Sequence, residues 1–434
     1  MKIQIILGLM NKGTIELKSG NSVLNICLPQ NLQYQVLEIA ETKSNKSKDD
    51  IIRDAIDNPI GSEKIEKILK PGQKVCIISD DNTRFTPVKE ILSELLPRIE
   101  SAGILREDIF IVFALGSHRY MTEAEMIEKV GSDVFKKYQV FNSEFMNPKM
   151  QVTVGESQFG TPIRVHKKAM EADIRIGIGN VVPHGCMGFS GGAKILYPGI
   201  TSEDIVSEFH AMQATCDEIL YGNMEAPTRI AVENWTKMIG LDFIINTVLD
   251  RENELFFAVS GDYILAQREA AKKALEMYGA KIKKRPDIII TSSFPLYLDF
   301  WQCGKAAYGP ASVIKEGGEI FLFCECREGV GPHKKILEYM GLESGKEEIL
   351  KRISNHEMGE DMLAMAVGVS MGKIASSCSL TLVTNGLSDE ECREGKMGHL
   401  PIETFDNNLK AILEEYEDPF VLIIKEGSEI IPKL

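Results

Sequence analysis

Between Gly177 and Met212 the chain reads G-I-G-N-V-V-P-H-G-C-M-G-F-S-G-G-A-K-I-L-Y-P-G-I-T-S-E-D-I-V-S-E-F-H-A-M. His184, Lys194 and His210 stand here with glycines at 188, 191 and 192 and Ser190 among them. A histidine is the natural proton shuttle near neutral pH. A lysine behind a double glycine can act as a nucleophile or a covalent tether. Glycines remove Cβ atoms where a backbone must approach something closely, and successive N–H groups beside a helix start form an anion site. The stretch is not a P-loop, because Gly-Lys-Ser/Thr is absent. Nor is it a dinucleotide fingerprint, because Gly177-x-Gly179 ends its strand and runs into Val-Val-Pro rather than a helix.

The elements that must position these residues follow from the flanks. Asp173–Gly179 reads as a buried strand, and Ser202 with Glu203 and Asp204 as a capped helix start that carries His210. Upstream, Lys74–Ser79 is a short buried strand leading into D-D-N-T-R-F-T-P, where Asp81, Thr83 and Arg84 offer an acceptor, a hydroxyl and a planar cation for a carboxylate or phosphate. Thr86 is expected to cap a helix with Pro87 in its first turn. Asp108–Leu115 is a further apolar strand, followed by His118 and by Thr122-x-x-Glu125, a capping box. Singly, each of these residues is as readily a solvated loop residue. Three strand ends carrying Arg84, His118 and His184 predict a convergent site, because parallel strands align such loops along one edge.

The composition is that of an ordinary globular protein, with 44% hydrophobic and 26% charged residues. At 434 residues the chain has room for two or three domains. A net charge of −14 and the lack of basic clusters with interleaved aromatics argue against nucleic-acid binding. No apolar run is long enough to span a membrane. The nine scattered cysteines suit reduced thiols and a cytoplasmic location, with Cys324-x-Cys326 read as two positions on one strand face.

Residues 3–8 and 14–27 are expected to pair as a hairpin turning at Asn11–Gly13, and residues 47–70 to be helical. Residues 243–259 read as two strands and 262–279 as an amphipathic helix. The connector ending at Pro286 marks the predicted boundary between an N-terminal domain, 1–280, and a C-terminal α/β domain, 281–434, whose last segment from about 406 is expected to return to the first. Strands at 319–324, 378–384 and 420–425 alternate with helices at 333–340, 346–354, 361–372 and 407–415, an α/β pattern. Gln302 and Lys305 are three apart, hence on one helix face.

Two loop histidines suit a racemase or epimerase, with Arg84 and Lys305 holding a carboxylate. Removing the Cα proton of a 2-hydroxy acid directly is very hard. Hydride abstraction with a histidine taking the hydroxyl proton is easier, but it needs an acceptor that the residues do not announce. Lys194 as a Schiff-base lysine in an aldolase or lyase is an alternative, and a non-catalytic cofactor-binding protein is another. A zinc hydrolase is weaker, since no His-Glu-x-x-His or cysteine-pair spacing occurs.

S-D-D-N-T-R at 79–84, A-L-G-S-H-R-Y-M-T at 114–122 and P-H-G-C-M-G-F-S-G-G-A-K-I-L-Y-P-G-I at 183–200, together with His210 and Gln302-x-x-Lys305, make the chain resemble the nickel-pincer lactate racemase family over most of its length. The resemblance implies two α/β domains with the active site in the cleft between them. It implies a nickel-pincer nucleotide, the pyridinium-3,5-bisthiocarboxylic acid mononucleotide of nickel, covalently attached at Lys194 with His210 on the metal. It further implies alternate acid–base roles for His118 and His184, and Arg84, Gln302 and Lys305 around the substrate. Asp81, Thr83, Gly188, Ser190, Gly191 and Gly192 would help hold the nucleotide. The expected partners are a small 2-hydroxy acid and the enzymes that make the cofactor, with self-association left open.

Two places depart from the family pattern. After Pro295 the family tends to read Leu-Asp-x-Asn-x-Tyr-Gln, where this chain has Leu-Tyr-Leu-Asp-Phe-Trp-Gln. Around Asp361 the family often has Asp-Gln-Trp, here Asp-Met-Leu. Both are assigned to the second domain, and they leave open a larger 2-hydroxy acid or a sugar acid in place of lactate.

Overall fold

The computed structural model of the chain describes residues 14–20, 22–358 and 360–434. Twelve strands build two large sheets: β1 (Gln33–Leu37), β2 (Val75–Asp80), β3 (Ile109–Ala114), β4 (Gln139–Asn142), β5 (Ile174–Asn180), β6 (Phe243–Leu249), β7 (Leu255–Gly261), β8 (Ile288–Ser292), β9 (Glu319–Phe323), β10 (Ser379–Val383), β11 (Gly398–Leu400) and β12 (Phe420–Ile424). The first sheet has the order β7-β6-β5-β2-β3-β4, parallel except for the β6–β7 hairpin. The second, β11-β10-β9-β8-β12-β1, is parallel throughout.

The strands form where the sequence is apolar on both faces. Every residue of β2 and of β5 except Arg175 is buried, as a parallel strand covered by helices requires. Helix α1 (Val88–Ser101) turns Val88, Ile91, Leu92, Leu95, Leu96 and Ile99 inward, at helical spacing. They pack on Ile77, Ile111 and Phe113 of the sheet. Each such side chain contributes roughly 1.5–3 kcal/mol by leaving water.

The chain divides into two compact units. The first comprises Ile39–Gly279 and Glu343–Ser370; the second comprises the segment ending at Glu38, Ala280–Leu342 and Met371–Leu434. A single division at 280/281 is therefore too simple. β1 joins the second unit's sheet, and residues 343–370 join the first unit. The segment after 406 remains in the second unit, where Phe405 and Leu409 pack with Val421 and Ile423. Asp361, expected in the second domain, lies in the first unit, where Arg352 donates to it at 2.8 Å.

Local expectations also change. Residues 3–8 and the turn at 11–13 lie outside the described residues; within 14–27, Thr14–Ser19 pairs with Ser22–Cys27. Residues 47–70 form two helices, Lys48–Asp57 and Ile65–Ile68. Thr86 does not cap α1, whose N-cap is Pro87; its hydroxyl donates to Asp80 Oδ2 at 2.5 Å. Strand β9 ends at Phe323, and Cys326 has a φ of +46°, so the two cysteines lie beyond the strand rather than on its face. Among the described residues no helix is long and apolar enough to cross a membrane.

Candidate active site

In the first sheet the chain enters at β2, proceeds to β3 and β4 on one side, and then returns to β5 on the other. β2 and β5 thus flank the point where strand order reverses, the usual place for a ligand outside the C-terminal strand ends. The loop after β2 carries Asp81 and Arg84, the loop after β3 carries His118, and the loop after β5 carries His184 and Lys194.

The first two loops are joined directly. Asp81 is buried, and its Oδ1 accepts from the Thr83 backbone N–H at 3.0 Å and from Thr83 Oγ1 at 2.6 Å. Its Oδ2 meets His118 Nδ1 at 2.6 Å. Burial opposes the charge on Asp81, but the bonds from His118 and Thr83 and the nearby Arg84 outweigh it and hold the carboxyl well below the usual range. An ionised Asp81 can only accept, so Nδ1 of His118 carries a proton, and in the neutral ring Nε2 keeps the lone pair. Arg84 donates to both the carbonyl and the hydroxyl oxygen of Thr83, at 3.2 and 3.1 Å. The capping box at Thr122 and Glu125 forms as expected, and Glu125 also receives Arg119, which ties the His118 loop to the helix after it.

The long loop after β5 is a built object. Pro183–His184 pairs antiparallel with Gly188–Phe189, and Gly192–Ile195 makes one tight helical turn. Arg229, on helix α3 (Pro227–Ile239), is fully buried beneath it. Its guanidinium donates to the carbonyls of Met187 (3.3 Å), Phe189 and Ser190 (3.3 Å). Gln267 Nε2 adds a bond to the Ser190 carbonyl at 3.1 Å, and Asn246 Oδ1 accepts from the Gly192 N–H at 2.9 Å. Ser190 Oγ donates to the Asn180 carbonyl at 2.8 Å.

Part of the loop's hydrogen-bonding capacity is turned inward. The N–H groups of Ser190 and Gly192 are already bonded within the protein. The close approach that the glycines allow is also to the protein itself. A Cβ on Gly188, at φ +71°, would stand 1.7 Å from the Asn223 carbonyl oxygen, and one on Gly192, at φ +60°, 2.8 Å from that of Tyr263. Gly188, Ser190, Gly191 and Gly192 therefore close and seat the loop that presents Lys194. Burial, with the Arg84 guanidinium adding to it, pulls the half-buried Lys194 amine down to about 8, although Cys186 and Asp81 act the other way.

His184 and His210 are joined through Cys186. The Cys186 N–H donates to His184 Nδ1 at 3.1 Å, and its sulfur lies 3.4 Å from His210 Nδ1. His210 stands on helix α2 (Glu203–Thr215), whose N-cap is Ser202 without a side-chain capping bond. Arg229, Asn246, Gln267 and Cys186 were not legible as site residues in the sequence. The only local signal was Cys186's place two residues after His184.

The second unit, taken by itself, carries Gln302 and Lys305 in the turns after β8. Asp299 accepts from the Gln302 backbone N–H at 2.9 Å, and Lys305 Nζ donates to Gln302 Oε1 at 2.6 Å, so the pair shares one face as expected. The residues that depart from the family pattern pack locally: Trp301 lies 4.1 Å from the His333 ring, and Tyr297 lies under Arg327.

Comparison with known proteins gives the same answer from three directions. A family model of the lactate racemase N-terminal domain matches residues 19–220. A lactate racemase of Thermoanaerobacterium thermosaccharolyticum is 30% identical over 73% of this chain and 75% of its own length, and one of Lactiplantibacillus plantarum is 29% identical over 70% and 72%. The solved lactate racemase apoprotein of T. thermosaccharolyticum superposes with a TM-score of 0.82 at 25% identity, covering 97% of this chain and 100% of that one. A crystal structure of a Thermotoga maritima protein (TM-score 0.66, 22% identity, 91% and 100% covered) shares the fold. The family model spans the loops after β2, β3 and β5, the structural match covers nearly all of the chain, and the chain belongs to the lactate racemase family of isomerases.

Proposed function

We propose that this racemase interconverts the enantiomers of a small 2-hydroxy acid, lactate first among them, with His118 and His184 moving protons and a nickel-pincer nucleotide tethered at Lys194. The observation that carries the reading is the Asp81–His118 bond of 2.6 Å beside a lysine whose amine is held down to about 8. The residues present suit the cofactor. An amine with a lowered pKa is nucleophilic enough to be acylated near neutral pH. His210 offers an imidazole ligand for a metal, and Arg84 a cation for an anionic group.

When bound, the group supplies the hydride acceptor that the side chains lack. The protein's part is proton handling and orientation. Asp81 keeps the proton of His118 on Nδ1, so Nε2 takes the hydroxyl proton as the Cα–H bond breaks. The Cys186 N–H occupies Nδ1 of His184, so a neutral His184 carries its proton on Nε2 and donates to a substrate oxygen. Arg84 would hold the carboxylate. The departures at Trp301 and at Met362-Leu363 support testing larger hydroxy acids alongside lactate.

The test is intact mass with nickel content, on protein made with and without the cofactor-building enzymes, followed by racemisation from each enantiomer. A nucleotide-sized adduct at Lys194 with about one nickel per chain, and loss of racemisation in H118A and H184A with the adduct retained, is the expected result. Full activity in both histidine variants sinks the reading. The lowered Lys194 amine also favours a second one, a Schiff-base lyase acting on keto acids. Borohydride trapping of a substrate on Lys194 in protein that takes up neither adduct nor nickel would select it.

A further inference from the structure

The Cys186 thiol has no role in the reading above, yet the residue touches both histidines of the Gly-rich loop region. Its backbone and its side chain do different things. The backbone N–H bonds His184 Nδ1 at 3.1 Å. The thiol, which is buried, donates to Gln213 Oε1 at 2.7 Å, and the sulfur lies 3.4 Å from His210 Nδ1. Gln213 and His210 are three apart on α2 and so share a face, and the thiol is held between them. A second clamp fixes the cysteine from the other side, since Thr228 Oγ1 donates to the Cys186 carbonyl.

The hydrogen count then sets the direction of the chain of bonds. The single thiol hydrogen is spent on the Gln213 oxygen. The sulfur can therefore only accept from His210, which requires the proton on His210 Nδ1 and leaves the lone pair on Nε2. A metal-binding histidine normally has its other ring nitrogen held by an oxygen acceptor, which fixes tautomer and ring orientation. Here a thiol takes that place.

We propose that Cys186 is a positioning residue that fixes the tautomer and orientation of His210, so that Nε2 is the nitrogen presented to nickel. The proposal rests on the reading of His210 as a metal ligand, but its first half holds for the apoprotein alone. Because the thiol serves His210 and the backbone N–H serves His184, deleting the side chain separates the two.

The test begins with ring-nitrogen correlation spectra of histidine-labelled apoprotein. His210 is expected to show a protonated Nδ1 and an unprotonated Nε2, and His184 the reverse. In C186A the His210 preference is lost while His184 keeps its pattern; in C186S, where a hydroxyl can make the same two bonds, His210 keeps it. A proton on Nε2 of His210 in the wild type overturns the proposal. So does an unchanged His210 in C186A, or an equal change at both histidines, which would mean general loosening of the loop. In protein loaded with the nickel-pincer nucleotide, C186A is expected to keep the Lys194 adduct mass and to release nickel to a chelator at about 10- to 100-fold lower concentration. Nickel held as in the wild type by C186A, but lost by H210A, overturns the proposal. Nickel held equally by H210A and wild type removes His210 as a ligand instead, and the apoprotein spectra then decide the role of Cys186.

Discussion

The two six-stranded sheets are near twins in size and parallel pairing, yet they differ in what stands at their C-terminal ends. β2 and β5 of the first sheet end in Asp80, Asp81 and Asn180, with Asn246 on β6 beside them, and all four are buried. The second sheet ends β8 in small hydroxyls that bond backbone carbonyls: Thr291 to Ile424, Ser292 to Lys18, and Ser293 to Leu296. The first set holds charge and, through Asp81, orients the His118 imidazole, whereas the second closes turns. Its polar reach comes several residues later, at Gln302 and exposed Lys305. A parallel sheet offers a site by topology alone, but it becomes a reactive one where buried carboxylates and amides replace hydroxyls at the strand ends.

Changes at the first sheet's edge should be far costlier to chemistry than changes at the second's. The largest effect is expected from K194A, which should abolish both adduct formation and activity, read by intact mass and racemisation. H118A should lower turnover by about 10²- to 10⁴-fold with the adduct intact, and D81N should fall in the same range by releasing the Nδ1 proton. If D81N racemises at the wild-type rate, the strand-end carboxylate is structural and the contrast between the sheets fails. R229A should destabilise by roughly 1–3 kcal/mol in denaturant titration, because the buried Met187 and Phe189 carbonyls lose their donor, while Arg268 still pairs Glu233 and Gln267 still bonds Ser190. K305A should raise KM while moving stability by no more than about 0.5 kcal/mol.

Two pH effects sharpen the same contrast. The Lys194 amine should react with acylating reagents with a midpoint near 8, against about 10.4 for ordinary lysines. Folding depresses the Asp81 carboxyl, so its stabilising contribution is present above an unfolded value of about 4 and is lost as pH falls through the lower folded one. D81N should flatten that acid limb of the stability curve.

Much of this edge could be read from sequence because it is local. The apolar runs of β2, β3 and β5 announce buried strands, Thr122-x-x-Glu125 announces its capping box, and the loop residues follow at once. What could not be read depends on pairing across the fold. Arg229 and Gln267 look like ordinary residues of amphipathic helices, and nothing nearby tells that their side chains turn under residues 187–190. Thr86 sits where a cap belongs, but a buried Asp80 six residues earlier competes for its hydroxyl. The inward bonding of Ser190 and Gly192 could not be read either, since a Gly-rich loop that cradles a phosphate and one that packs on its own protein are alike in sequence.

Strand β1 leaves the translating ribosome long before its neighbour exists. Gln33 donates to Asp418, 385 residues away, just before the strand beside which β1 lies. At about 5–20 residues per second, roughly 20 to 80 s of synthesis separates the two. Residues 39–279 can meanwhile bury their own core and assemble the histidine and lysine loops. The order of emergence therefore lets most of the reactive unit form early, with residues 343–370 to follow, and the second sheet is completed only when β12 emerges to receive a strand made about 385 residues before it.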